Sequence, residues 1–145
     1  MRAGLHSVNR QIVADWHPLP QIQELFAKLD GATFFPTIDL KAAYHQIELT
    51  SESSHITTLI SPERAFRYTR MPFGLASAAS VFQKLMFCLF GGIEGVVAFQ
   101  DDILVYTDTA EEHYLLLDRV LQILNEKGMT ICLQKCKIFA TEVEY

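Results

Sequence analysis

The stretch that most constrains the fold is VVAFQDDILVYTD, residues 96–108. Apolar runs from Val96 to Phe99 and from Ile103 to Tyr106 enclose a bare Gln-Asp-Asp. The runs read as the arms of a β-hairpin with an acidic tip. A bland account exists, because Asp suits turns: its side chain bonds nearby backbone and tolerates left-handed geometry. Here, however, both arms are greasy enough to be buried, which sets the carboxylates beside low-dielectric protein. Two adjacent negative charges stay ionised cheaply in such a place only if a cation joins them.

A third acid, Asp39, ends the apolar strand in FFPTIDLKAAYHQI. Strand-end acids brought together in one sheet form a natural cage for hard cations such as Mg²⁺. Asp39 and the Asp101–Asp102 tip are therefore expected to converge. A cage of this kind holds two metals about 3.5–4 Å apart, activating a nucleophilic oxygen and stabilising a leaving one during phosphoryl transfer.

The rest of the chain alternates helices with hairpins. HPLPQIQELFAKLDG predicts a helix stopped at Gly31, with Ile22, Leu25, Phe26 and Leu29 on one face. TFFPTIDL reads as a strand in which Pro36 marks an edge or bulge. HQIEL and HITTLI alternate as half-exposed strands do, and SPER turns the chain into AFRYTR. ASAASVFQKLMFCLF predicts a helix ended by Gly91 and Gly92. TAEEHYLLLDRVLQILNEKG predicts another, with Thr109 as cap, Glu111 and Glu112 in the first turn, and Gly128 closing it. MTICL and IFATEVEY are expected as further strands. The whole implies a single α+β domain, an antiparallel sheet with helices packed on one face.

Composition narrows the function. Half of the 145 residues are hydrophobic and a fifth are charged, as in a globular rather than a disordered chain. No apolar run approaches the ~20 residues that span a bilayer, and the N-terminus has no signal core, so neither membrane nor secretion is expected. Three cysteines cannot all pair internally, which favours a reduced, intracellular setting. Cys132 and Cys136 lack the second half of a zinc set. The formal charge of −5 gives no broad basic footprint, so a nucleic-acid partner would draw most of its phosphate contacts from elsewhere.

IDLKAAYHQIEL, RMPFGLASAASVFQKLM, AFQDDILVYTDTAEEHYLLLDRVLQILNEKGM, LQKCKIF and EVEY, in that order, resemble the reverse transcriptase of gypsy-type long-terminal-repeat retrotransposons. The resemblance runs from about Asn9 to Tyr145 and implies a polymerase palm with partial fingers. Position by position, it implies that Asp39, Asp101 and Asp102 are the catalytic aspartates, holding two Mg²⁺ ions that Mn²⁺ could replace. It implies that Tyr44 is the aromatic gate that excludes a ribose 2′-hydroxyl, that Phe73 lines the dNTP pocket, and that Gln83 contacts template or primer. The implied partners are primer–template and dNTP, together with the fingers, thumb and ribonuclease H regions of a polyprotein.

The chain also departs from the family pattern. Phe99 and Gln100 precede the aspartate pair where the family usually has Tyr and a small or apolar residue; Gln100 adds an amide beside the primer end. Ala79 stands where Pro is frequent. Gly4 and His6 replace the Asp and Arg of a DxRxxN-like segment that keeps Asn9. The basic fingers hairpin is expected upstream of Met1, and the thumb beyond Tyr145. The alternative reading is a catalytically inactive, retroelement-derived fragment that serves as a structural or interaction module.

Overall fold

The two apolar arms pair as their composition demands. The structure, a computed structural model, describes residues 5–13, 29 and 31–140. In chain order its elements are α1 (His6–Asn9), β1 (Thr37–Asp39), a 3₁₀ turn (Ala43–Gln46), α2 (Ser51–Ile56), β2 (Leu59–Ile60), β3 (Ala65–Phe66), α3 (Ala78–Phe90), β4 (Val96–Phe99), β5 (Asp102–Val105) and α4 (Ala110–Glu126).

β4 and β5 form the hairpin, with Val96 opposite Val105 and Phe99 opposite Asp102. β1 adds to the other edge of β5, giving an antiparallel sheet in the order β1-β5-β4. Alternation sends Ile38, Ile103, Val105, Val96 and Ala98 to one face, where all five are buried. Helices α3 and α4 complete that core with Phe82, Met86 and Phe90 from one, and Leu117, Val120 and Leu124 from the other. The helical spacing of these residues is what made both helices readable from sequence. Thr109 caps α4 by accepting a hydrogen bond from the Glu112 amide at 3.3 Å. Gly128 follows that helix at φ +66°, a left-handed conformation that glycine adopts without strain.

Four strand expectations are met only in part or not at all. HQIEL begins as the 3₁₀ turn and makes only a single bridge, Glu48 to Arg70. HITTLI is strand only at its end: the Thr50 hydroxyl caps the Ser53 amide at 3.2 Å and keeps His55 and Ile56 in α2, whereas Leu59–Ile60 form β2 and pair with β3 across the SPER turn, as expected. MTICL and the residues leading into IFATEVEY run beside the outer edge of β1 with isolated bridges, Leu40 to Ile131 and Thr37 to Lys137, and the Phe35 amide donates to the Ala140 carbonyl at 2.8 Å. A turn between them, with the Cys136 amide donating to the Cys132 carbonyl, prevents a continuous ladder. The helix expected over HPLPQIQELFAKLDG and the end of IFATEVEY lie almost wholly outside the described residues. Among the described residues, no helix is long and apolar enough to cross a membrane.

Candidate active site

Asp39 is the last residue of β1 and Asp102 the first of β5, and the register sets them directly opposite each other. Paired residues on adjacent strands project from the same face, here the one opposite Ile38 and Ile103. Asp101 sits one residue back in the turn, where its carbonyl accepts a hydrogen bond from the Leu40 amide at 2.8 Å. The acids thus share one end of the sheet, although they are distant in sequence.

Their electrostatics agree with that placement. Burial, and then the negative charges of Asp101 and Asp39, raise the pKa of Asp102, while Lys135 pulls it down. The Lys135 ammonium stands 3.3 Å from Asp39 Oδ2. The hydrogen bond to Asp39, followed by that carboxylate's charge, makes Lys135 hold its proton more tightly than usual. Among the described residues, no three His, Cys, Asp or Glu side chains gather into a ready-made metal cluster. What converges is the backbone and the charge. Three hard oxygen donors that feel one another, with an ammonium drawn onto one of them, are a donor set suited to Mg²⁺.

An aromatic wall adjoins the acids. Tyr44, on the 3₁₀ turn, lies 5.2 Å from Phe73 and 5.6 Å from Phe82 between ring centroids. Burial and the charge of Asp101 raise the pKa of its hydroxyl, keeping it a neutral phenol. Phe73 is 57% exposed and meets His45 edge-on at 4.8 Å. Asn9 anchors the segment beyond Phe73, donating to the Gly74 carbonyl at 2.8 Å and accepting from the Ala76 amide at 2.9 Å.

Gln83 is buried against the hairpin. It is 2% exposed, and its amide faces the hairpin: Nε2 donates to the Ala98 carbonyl at 2.9 Å, and Oε1 accepts from the Gln100 amide at 2.8 Å. Gln100, at φ +52°, opens the two-residue turn.

Sequence reasoning gave no role to Lys135 or Gln46. The Lys135 ion pair spans 96 residues, so no local spacing announces it; the LQKCKIF motif marked only its neighbourhood. Gln46 clasps two distant segments, donating to the Lys41 and Thr130 carbonyls at 2.7 and 2.9 Å and accepting from the Thr130 amide at 2.8 Å. Lys41, His45, Gln46, Arg70 and Thr130 line an open groove of about 600 Å³ on this flank.

Sequence comparison decides the family. The family described as "Reverse transcriptase (RNA-dependent DNA polymerase)" matches residues 3–145. The chain belongs to the reverse transcriptase family. This reverse transcriptase domain is 36% identical over 141 residues to the Retrovirus-related Pol polyprotein from transposon 412 of Drosophila melanogaster, covering 95% of this chain and 11% of that one. It is 32% identical over 140 residues to the transposon Tf2-3 polyprotein of Schizosaccharomyces pombe, covering 95% and 10%. The chain spans about a tenth of the length of these curated relatives. Both are transposon polyproteins, consistent with the gypsy-type resemblance.

The fold agrees. The reverse transcriptase domain superposes on the foamy viral protease-reverse transcriptase in complex with RNA/DNA hybrid at a TM-score of 0.87 and 26% identity, covering 97% of this chain and 19% of that one. Against the same viral protein in complex with dsDNA the TM-score is 0.85 at 26% identity, covering 96% and 29%. The α+β architecture is accordingly palm-like.

The raised pKa of Asp102 has a measurable sign. The folded chain binds this proton more tightly than the unfolded chain, so stability falls as pH rises from the ordinary carboxylate range through the raised value. Above that value the loss is complete. In cation-free buffer, Asp102→Asn should therefore melt at a higher temperature than the parent at pH 7. The difference should close as the pH drops below about 4, where carboxyls in both states are protonated. Melting curves at the two pH values check this; a gain that is independent of pH would assign the effect to something other than charge.

Proposed function

We propose that this chain is the palm core of an RNA-directed DNA polymerase that transfers a nucleotide from a dNTP to a primer 3′-hydroxyl on an RNA or DNA template, as part of a retrotransposon polyprotein. The observation that carries the reading is the register that sets Asp39 opposite Asp102, with Asp101 beside them at one end of the sheet. These three carboxylates would hold the divalent ions. When bound, two Mg²⁺ ions would lower the pKa of the attacking hydroxyl and neutralise charge on the phosphates.

The chain's own residues do the rest. β1, β5 and the buried face beneath them keep the acids on a rigid platform, where small displacements would cost rate steeply. Tyr44 sets a ring where a dNTP sugar would lie and leaves no room for a 2′-hydroxyl. Phe73, packed on Tyr44 and His45, extends that wall as part of the dNTP pocket. Gln100 presents its side chain at the tip, next to the primer end. Lys41 and Arg70 offer positive charge in the adjoining groove. The foamy viral relatives, solved with dsDNA and with RNA/DNA hybrid, support a primer–template partner.

The test uses a longer chain that includes flanking polyprotein sequence, supplied with primer, RNA template, dNTPs and Mg²⁺. It should extend the primer, and Tyr44→Ala should lower its preference for dNTPs over rNTPs by about 10–200-fold, the range for the space of one small group in a pocket. Failure to extend any primer would overturn the polymerase reading. Unchanged sugar selectivity would assign Tyr44 to packing.

A further inference from the structure

We propose that Gln83 is a positioning residue for the acidic tip: acting through Gln100, it fixes where Asp101 and Asp102 stand. Its place in the fold explains why. Among the described residues β4 is an edge strand, so the outward-facing groups of Ala98 and Gln100 have no neighbouring strand there. The Gln83 amide takes that neighbour's place, donating to the Ala98 carbonyl and accepting from the Gln100 amide. One side chain thereby satisfies backbone groups two residues apart, as a strand residue would.

Gln83 reaches them from inside α3, between the buried Phe82 and a turn of helix carrying the buried Met86. A buried primary amide needs partners for both ends, and here the hairpin supplies both. The coupling is therefore reciprocal: α3 cannot satisfy Gln83 without the hairpin, and the hairpin loses two hydrogen bonds without Gln83, one of them in its turn.

The turn needs the help because of what occupies it. Two-residue hairpin turns of the favoured types require positive φ at the first loop position, where Gly and Asn are preferred. This chain has Gln100 there, at φ +52°. A residue with a Cβ holds such a conformation only when its surroundings enforce it. The Gln83–Gln100 hydrogen bond is the visible enforcement, and the residues immediately after Gln100 are Asp101 and Asp102.

The inference relies on the proposed cation-binding role of the aspartates for its metal readout alone. The experiment compares the 145-residue chain with Gln83→Met and with Gln83→Met combined with Gln100→Gly, measuring Mn²⁺ affinity and hydrogen exchange of the residue-100 amide. In the parent, the Gln100 amide should exchange slowly for a turn. Gln83→Met should speed that exchange and weaken Mn²⁺ binding by about 10–100-fold, as expected when a group that orients metal ligands is lost. Adding Gln100→Gly should recover most of the affinity, because glycine holds positive φ unaided. A purely structural role for Gln83 would lower stability without such a rescue. Unchanged Mn²⁺ affinity in Gln83→Met, or no recovery with glycine, would overturn the proposal. A parent chain that binds no Mn²⁺ would overturn the cation reading instead, leaving the exchange data to decide on Gln83. Parent exchange at residue 100 as fast as at open loop amides would refute the lock even if neither variant folds.

Discussion

Asp101→Asn should reduce primer extension by the longer chain about a thousandfold or more while leaving its melting temperature nearly unchanged. The two halves of this expectation come from different parts of one residue. The structural contribution of Asp101 is its backbone carbonyl, which accepts the Leu40 amide and ties the tip to the end of β1. Asparagine keeps that carbonyl and the shape of the side chain. What it removes is the negative charge, at an exposed position where charge has no packing role. Cation stabilisation of a phosphoryl-transfer transition state is worth several kcal/mol, and every 1.36 kcal/mol is about tenfold in rate. Extension rates and thermal melts on the same preparations check the prediction. Retention of a tenth of the parent rate would remove Asp101 from the cation ligands.

The second large effect concerns stability. Phe82 is fully buried in the core and meets Tyr44 edge-on at 5.6 Å. Phe82→Ala should cost about 3–5 kcal/mol, the range for emptying a buried aromatic site. Against a total stability of about 5–15 kcal/mol this is a large fraction, and it should lower the melting temperature on the order of 10–20 °C. Leu115→Ala is the control: its side chain is 73% exposed on α4, and its removal should change stability by about 0.5 kcal/mol or less. Denaturant melts of both variants make the comparison. Equal losses would mean that Phe82 is not at the centre of the core.

How much of this was legible in the sequence depended on whether the deciding physics was local. α3, α4 and the β4–β5 hairpin were readable because each carries its own periodicity, and α4 its cap as well. The segment from His45 to Ile56 misled because alternating polar and apolar residues imitate a strand, while the Thr50 cap that settles the matter is one hydroxyl. Residues 129–140 were misread because apolar runs can lie along a sheet edge with isolated bridges only. At the site, the meeting of Asp39 with the hairpin tip was legible from buried strands that end in acids. The ion pair of Lys135 and the inward aim of Gln83 were not, since both depend on partners that only tertiary packing supplies.

The pairing of Asp39 with Asp102 means that the site's geometry comes in discrete steps. The smallest slip of β1 along β5 is one residue, and because the pleat has a period of two, that slip would turn Asp39 toward the core and bring Ile38 to the surface. No intermediate placement exists between the native arrangement and one that buries a charge. Substitutions elsewhere can loosen or stiffen this pair, but they cannot move it gradually along the sheet. Such a site is inherited whole or lost whole, and adjustment of its activity is left to the side chains around it.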